Sequence, residues 1–283
     1  MVEQLRRPHP HLGAGWVTAA ASLVGLAGFL YPFLLPALAP AQDRSAHAGD
    51  APYLFALVTV LCVLAIAVEL DGTGAGGVRR SASKSVALLG VLVATDATLR
   101  LVPSFLGGSP IFLLVILVGA VFGPAFGFQM GALTILVSAF ITGGVGPWLP
   151  YQMLGVGWVG LTAGWLPRPA SFRRWLLVLA VFGALWGFLF GAILNLWSWP
   201  FAAPGLEGDV GLYWSPHLSF AETLAHYARF YLVTSLWYDL FRAVGNAALV
   251  LTLGGPTLRV LERFRSRFTW EPWTEEPAQL PSA

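Results

Sequence analysis

The chain has 283 residues, 57% of them hydrophobic and 11% charged, where soluble domains carry roughly 25% charged residues. Sixteen lysines and arginines against 14 acids leave a formal charge of +2, too even for a nucleic-acid surface, and the mean hydropathy is +0.71. These figures exclude an ordinary soluble domain and point to an all-α, polytopic membrane protein. The single cysteine, Cys62, excludes an internal disulfide and reads as a buried structural thiol.

A helix needs about 20 mostly apolar residues to cross a bilayer, because unpaired backbone polar groups are too costly in hydrocarbon. In chain order the qualifying runs are Trp16 to Leu38, Pro52 to Leu70, Ser85 to Val102, Gln129 to Thr142, Pro150 to Leu166, Arg174 to Trp199 and Ala225 to Leu253. A shorter run, Ile111 to Phe122, ends at Phe122-Gly123-Pro124-Ala125-Phe126-Gly127, whose glycines and proline predict a tight return into the next span. The expectation is about eight transmembrane helices, with both termini on one side.

Basic residues say which side. With cytoplasmic termini, Arg6, Arg7, Arg79, Arg80, Lys84, Arg168, Arg173, Arg174, Arg259, Arg263, Arg265 and Arg267 all fall inside, 12 of the 16. Arg44 with Asp43 and Asp50, the stretches Ser104 to Ser109 and Gly143 to Pro150, and a loop with Glu207 and Asp209 fall outside. The first run is long, is interrupted by Pro32 and Pro36 and lacks a small-residue cleavage site, so it is expected to stay as a helix. Three parts are expected: residues 1–83, two membrane helices and a glycine-rich cytoplasmic linker; 84–257, a six-helix core; and 258–283, a partly disordered cytoplasmic tail.

Several motifs fail on context. Gly72, Gly74 and Gly77 spell G-x-G-x-x-G, but a membrane helix precedes them and arginines follow, so no dinucleotide fold is built. Lys84-Ser85 lacks the glycines of a phosphate-binding loop, having Val78 and Ser83 in their places, and any ATP hydrolysis belongs to another chain. Ser138 and Ser198 have no histidine at catalytic spacing, and His9, His11, His47, His217 and His226 form no metal-binding pattern. Neither an enzyme nor a metal or cofactor site is expected.

Ionisable residues within spans are costly and become the candidates. Asp239, Arg242 and Asn246 share one face of the last run, where the two charges neutralise each other; either a structural pair or a ligand or gating role fits. Asp96 and Arg100 form a second expected pair, one turn apart on the third run. The opposite face of that run carries the small-residue stripe Gly90, Ala94 and Thr98, a spacing that serves packing within a chain as well as between chains. Trp16, Trp165 and Trp175 fit a cytoplasmic interfacial belt, and Trp148, Trp197, Trp199 and Trp214 cluster outside. Trp148 and Gln152, with Asn195 and Trp197, bring flat rings and amides to one mouth, with Arg100 available for a polar or anionic group.

Thr142-Gly143-Gly144-Val145-Gly146-Pro147-Trp148-Leu149-Pro150-Tyr151-Gln152-Met153, followed by Gly157-Trp158-Val159-Gly160, resembles the substrate-binding S components of energy-coupling factor (ECF) transporters. So do Ser109-Pro110-Ile111-Phe112, Phe122-Gly123-Pro124 with Gly127, Asn195-Leu196-Trp197, and Trp237-Tyr238-Asp239 with Arg242 and Asn246. The resemblance covers about Lys84 to Gly255 and is nearest to cobalamin-type members. It implies a vitamin-capturing subunit that pairs with a transmembrane coupling subunit and two cytoplasmic ATPases, and that docks the coupling subunit through Gly90, Ala94 and Thr98. The chain departs from it in having two extra N-terminal helices, and in carrying Ala125 and Phe126 where related sequences often have a basic residue. Val2 replaces the histidine that metal-uptake relatives use. The rival reading is a stand-alone secondary transporter with an ion path through Asp239, Arg242 and Asp96, for which no inverted repeat is visible.

Overall fold

The structure is a computed structural model that describes residues 12–38, 51–71, 79–102, 109–202 and 211–268. The Gly72–Gly77 linker, Arg44 and its acidic neighbours, the 104–108 stretch, the Glu207 and Asp209 loop and the tail from 269 lie outside the described residues. The helices are α1 (Leu12–Leu38), α2 (Ala51–Asp71), α3 (Arg79–Leu99), α4 (Ile111–Phe122), α5 (Pro124–Thr142), α6 (Leu149–Ala163), α7 (Phe172–Ser198), α8 (Phe220–Thr234) and α9 (Leu236–Phe268). No strand occurs among the described residues. Four stretches are each long and apolar enough to cross a membrane, Gly15–Leu34, Pro124–Thr142, Phe172–Phe201 and Leu236–Ser266, and Pro52–Leu64 and Ile111–Phe122 are shorter apolar helices. The chain is a multi-pass membrane protein.

The tight return forms with a single residue between helices. Gly123 takes φ +100°, a conformation open to glycine, and Pro124 starts α5 where its missing N–H costs nothing. The four helices α4, α5, α6 and α7 build the centre. Gly127 and Gly131 of α5 lie against the Gly160 and Val156 backbone of α6, leaving no room for a side chain at either glycine. Ile116, Leu117, Met130, Met153, Leu154 and Leu179 are fully buried between these helices.

The N-terminal pair is packed onto this core. Phe29 of α1 meets Tyr151 edge-on at 4.9 Å, and Trp158 Nε1 donates to Ser22 Oγ at 3.1 Å. Phe33 touches Trp199 and Trp214 at centroid distances of 6.1 and 5.5 Å.

Three expectations need correction. The run Ala225 to Leu253 is two helices, because the chain bends at Ser235, whose φ of −114° departs from helical values. Ser235 Oγ there accepts from Asn195 Nδ2 of α7 at 2.6 Å, a side-chain bond that stabilises the bend. A capping box starts α8, Ser219 and Glu222 bonding reciprocally, and these bonds hold the Glu222 carboxyl below its usual range. Secondly, α9 runs past Gly254-Gly255-Pro256 to Phe268, held in place by buried Leu258 and Leu261. Thirdly, Trp175 is buried rather than interfacial, with the Arg168 guanidinium 4.2 Å from its ring centroid.

Candidate functional site

The polar side chains of the bundle gather at the end where α3, α5 and α7 finish and α6 and α9 begin. Arg100 follows the last residue of α3. Its guanidinium reaches across the bundle, donating to Ser138 Oγ of α5 at 2.8 Å and to Gln152 Oε1 of α6 at 3.3 Å. Ser138 in turn donates to Ile135 O at 3.0 Å, so its lone pairs face Arg100.

The expected Asp96–Arg100 pair does not form. Helix α3 ends at Leu99, so Arg100 leaves the regular helical face and swings toward α5 and α6. Asp96 is fully buried and forms no ion pair among the described residues; its side-chain partner is the Thr134 hydroxyl of α5.

Helix α6 divides the remaining candidates. Trp148, at its N-cap, is 40% exposed and donates from Nε1 to Gly144 O at 3.2 Å. Tyr151 stacks on Trp197 with centroids 5.5 Å apart and planes 21° apart. Gln152, the next residue, points instead to Arg100. Asn195 and Trp197 lie two residues apart on α7 and therefore face different neighbours, Asn195 going to Ser235 and Trp197 to Tyr151. Arg100 and Gln152 thus meet directly, Trp197 joins them through the first turns of α6, and Asn195 sits on the α9 side.

The Asp239, Arg242 and Asn246 face does form as its spacing predicts. Arg242 Nη1 bonds Asp239 Oδ1 and also donates to Gly187 O at 3.2 Å, while Asn246 Nδ2 donates to Gly183 O at 3.0 Å. All three residues meet α7 along Gly183, Gly187 and Gly191. A Cβ at Gly191 would collide with the Asp239 carboxylate, and one at Gly187 with the backbone of Ala243. The G-x-x-x-G-x-x-x-G pattern that makes this approach possible is plain in the sequence and was the missed signal. Tyr151, Ser138 and Ser235, the partners that fix Trp197, Arg100 and Asn195, were missed because each partner lies far along the chain.

The stripe Gly90, Ala94 and Thr98 is exposed on α3, and a Cβ at Gly90 would meet nothing within 4 Å. Thr98 and Thr95 fold their hydroxyls back onto Thr95 O and Val91 O, leaving methyl groups outward. Helix α2 packs on α3 without covering this face.

Residues 84–254 match the family of the ECF transporter, substrate-specific component. The chain belongs to this family. The matched segment starts within α3 and ends within α9, so α1 and α2 precede it. No curated protein and no solved structure matches the chain. As a substrate-specific component the chain is a transport subunit, and the rival reading as a stand-alone carrier loses its ground.

Proposed function

We propose that the chain is the ligand-capturing membrane subunit of an ECF-type importer in the cell membrane, working with a separate transmembrane coupling subunit and two ATPase chains. The family match over residues 84–254 carries this reading. The exposed Gly90, Ala94 and Thr98 face supports docking of the coupling subunit there, since small residues let a partner helix come close. The ligand lies at the Trp148 end, contacted by Trp148, Gln152, Asn195, Trp197 and Arg100, and a corrinoid, cobalamin above all, fits the combination of ring faces and amide donors. About eight membrane crossings put both termini in the cytoplasm and this end outside.

Co-expression with a coupling subunit and its ATPases tests the reading: the complex should co-purify and support uptake of cyanocobalamin. Failure to associate with any such module would overturn it. Orientation has its own check, since cysteine at Ser215 should be labelled from outside intact cells by an impermeant reagent and cysteine at Ser171 should not. The reverse pattern would invert the assignment.

A further inference from the structure

We propose that the ligand carries an anionic oxygen group, a carboxylate or a phosphate, which binds at Arg100 and Gln152; this rests on the reading of the chain as a ligand-capturing subunit. The argument is one of unspent donors and uncompensated charge. A guanidinium has five N–H donors and no acceptor, and Arg100 directs one nitrogen to Ser138 and another to Gln152, both of them neutral. Arg100 is half-buried and has no carboxylate partner among the described residues. The acids that elsewhere meet arginines are spent, Asp239 on Arg242 and Glu262 on Arg168. Asp96, the nearest acid in sequence, forms no ion pair with any described residue and has the Thr134 hydroxyl as its side-chain partner.

Gln152 adds to the same spot. Its amide oxygen is taken by Arg100, and its NH2 group has no partner among the described residues. Ser138 has no donor left for a ligand, since its one O–H goes to Ile135 O while its oxygen accepts from Arg100. The corner between α3, α5 and α6 therefore offers N–H donors from two side chains around a fixed positive charge. A partly desolvated cation is costly unless paired, so the site selects a ligand that brings the counter-charge, and the planar fork suits a carboxylate or phosphate. Arg242, the same residue type in the same bundle, has its charge met from within by Asp239 and offers no such opening.

The test uses matched probes on the purified full chain in lipid nanodiscs: riboflavin 5′-phosphate against riboflavin, and pantothenate against pantothenol. The anionic member of at least one pair should bind about tenfold or more tightly than its neutral match. The pair that responds distinguishes phosphate from carboxylate. Arg100→Gln should remove that preference. Gln152→Glu, which keeps the arginine and supplies it with an internal counter-ion, should remove it too, and covers the case of Arg100→Gln failing to fold. Equal binding of both members, retention of the preference in Gln152→Glu, or a folded wild-type chain that binds none of the anionic probes would overturn the inference. Co-purification with the coupling module is a separate readout, so a protein that still assembles but ignores ligand charge refutes this inference and leaves the transporter reading standing.

Discussion

Helices α3 and α7 both carry small residues at four-residue spacing, Gly90, Ala94 and Thr98 on one and Gly183, Gly187 and Gly191 on the other, yet only the second stripe is covered within the chain. On α7 the glycines admit α9 so closely that its Asp239, Arg242 and Asn246 meet α7 backbone, and two glycine carbonyls become acceptors for Arg242 and Asn246. On α3 no described residue comes within 4 Å of a Cβ at Gly90. The charges follow the same division. Beneath the covered stripe an acid and a base pair; behind the bare one Asp96 and Arg100 stay apart. The difference teaches that a small stripe creates room and that polar groups on the facing helix decide whether the room is used.

The largest effect should come from breaking the covered side. Arg242→Ala leaves Asp239 without its ion-pair partner and should cost about 3–5 kcal/mol, read as lost folded yield and a lower unfolding temperature in detergent. Restoration of yield by adding Asp239→Asn would show that the unpaired charge is the cause. Gly187→Leu should cost about 3 kcal/mol in the same assay, because its side chain meets the Ala243 backbone, which has no flexible end to move aside.

Smaller effects sharpen the contrast. Asn195→Ala removes the bond that holds Ser235 at the bend between α8 and α9 and should cost about 1 kcal/mol. Asp96→Asn breaks no ion pair and should shift stability by less than about 1 kcal/mol; a loss as large as that of Arg242→Ala would mean that Asp96 has a charged partner. Gly90→Trp should leave unfolding unchanged and ligand binding intact while abolishing coupled uptake. Loss of stability in that variant would place the α3 stripe inside the chain's own packing.

Composition and apolar run length were enough to establish an all-helical membrane protein, because a bilayer forbids unpaired backbone and leaves few ways to satisfy it. The single-glycine return at Gly123 and the shared face of Asp239, Arg242 and Asn246 were also readable, since each depends on residues within a turn or two of one another. Where α9 ends was not readable: local rules stop a helix near Gly254-Gly255-Pro256, and burial of Leu258 and Leu261 against the core outweighs them. Nor was the division of the site residues. Asn195 and Trp197 share a short motif but go to Ser235 and Tyr151, and Arg100 passes over Asp96, four residues away, to reach Ser138 and Gln152. Sequence by itself fixed which residue types stand at which helix ends, through local hydrogen bonding and hydrophobicity. Tertiary structure alone decided that Arg242 is met by an acid and Arg100 by the neutral Ser138 and Gln152, because that depends on the helices brought alongside, and no local rule contains them.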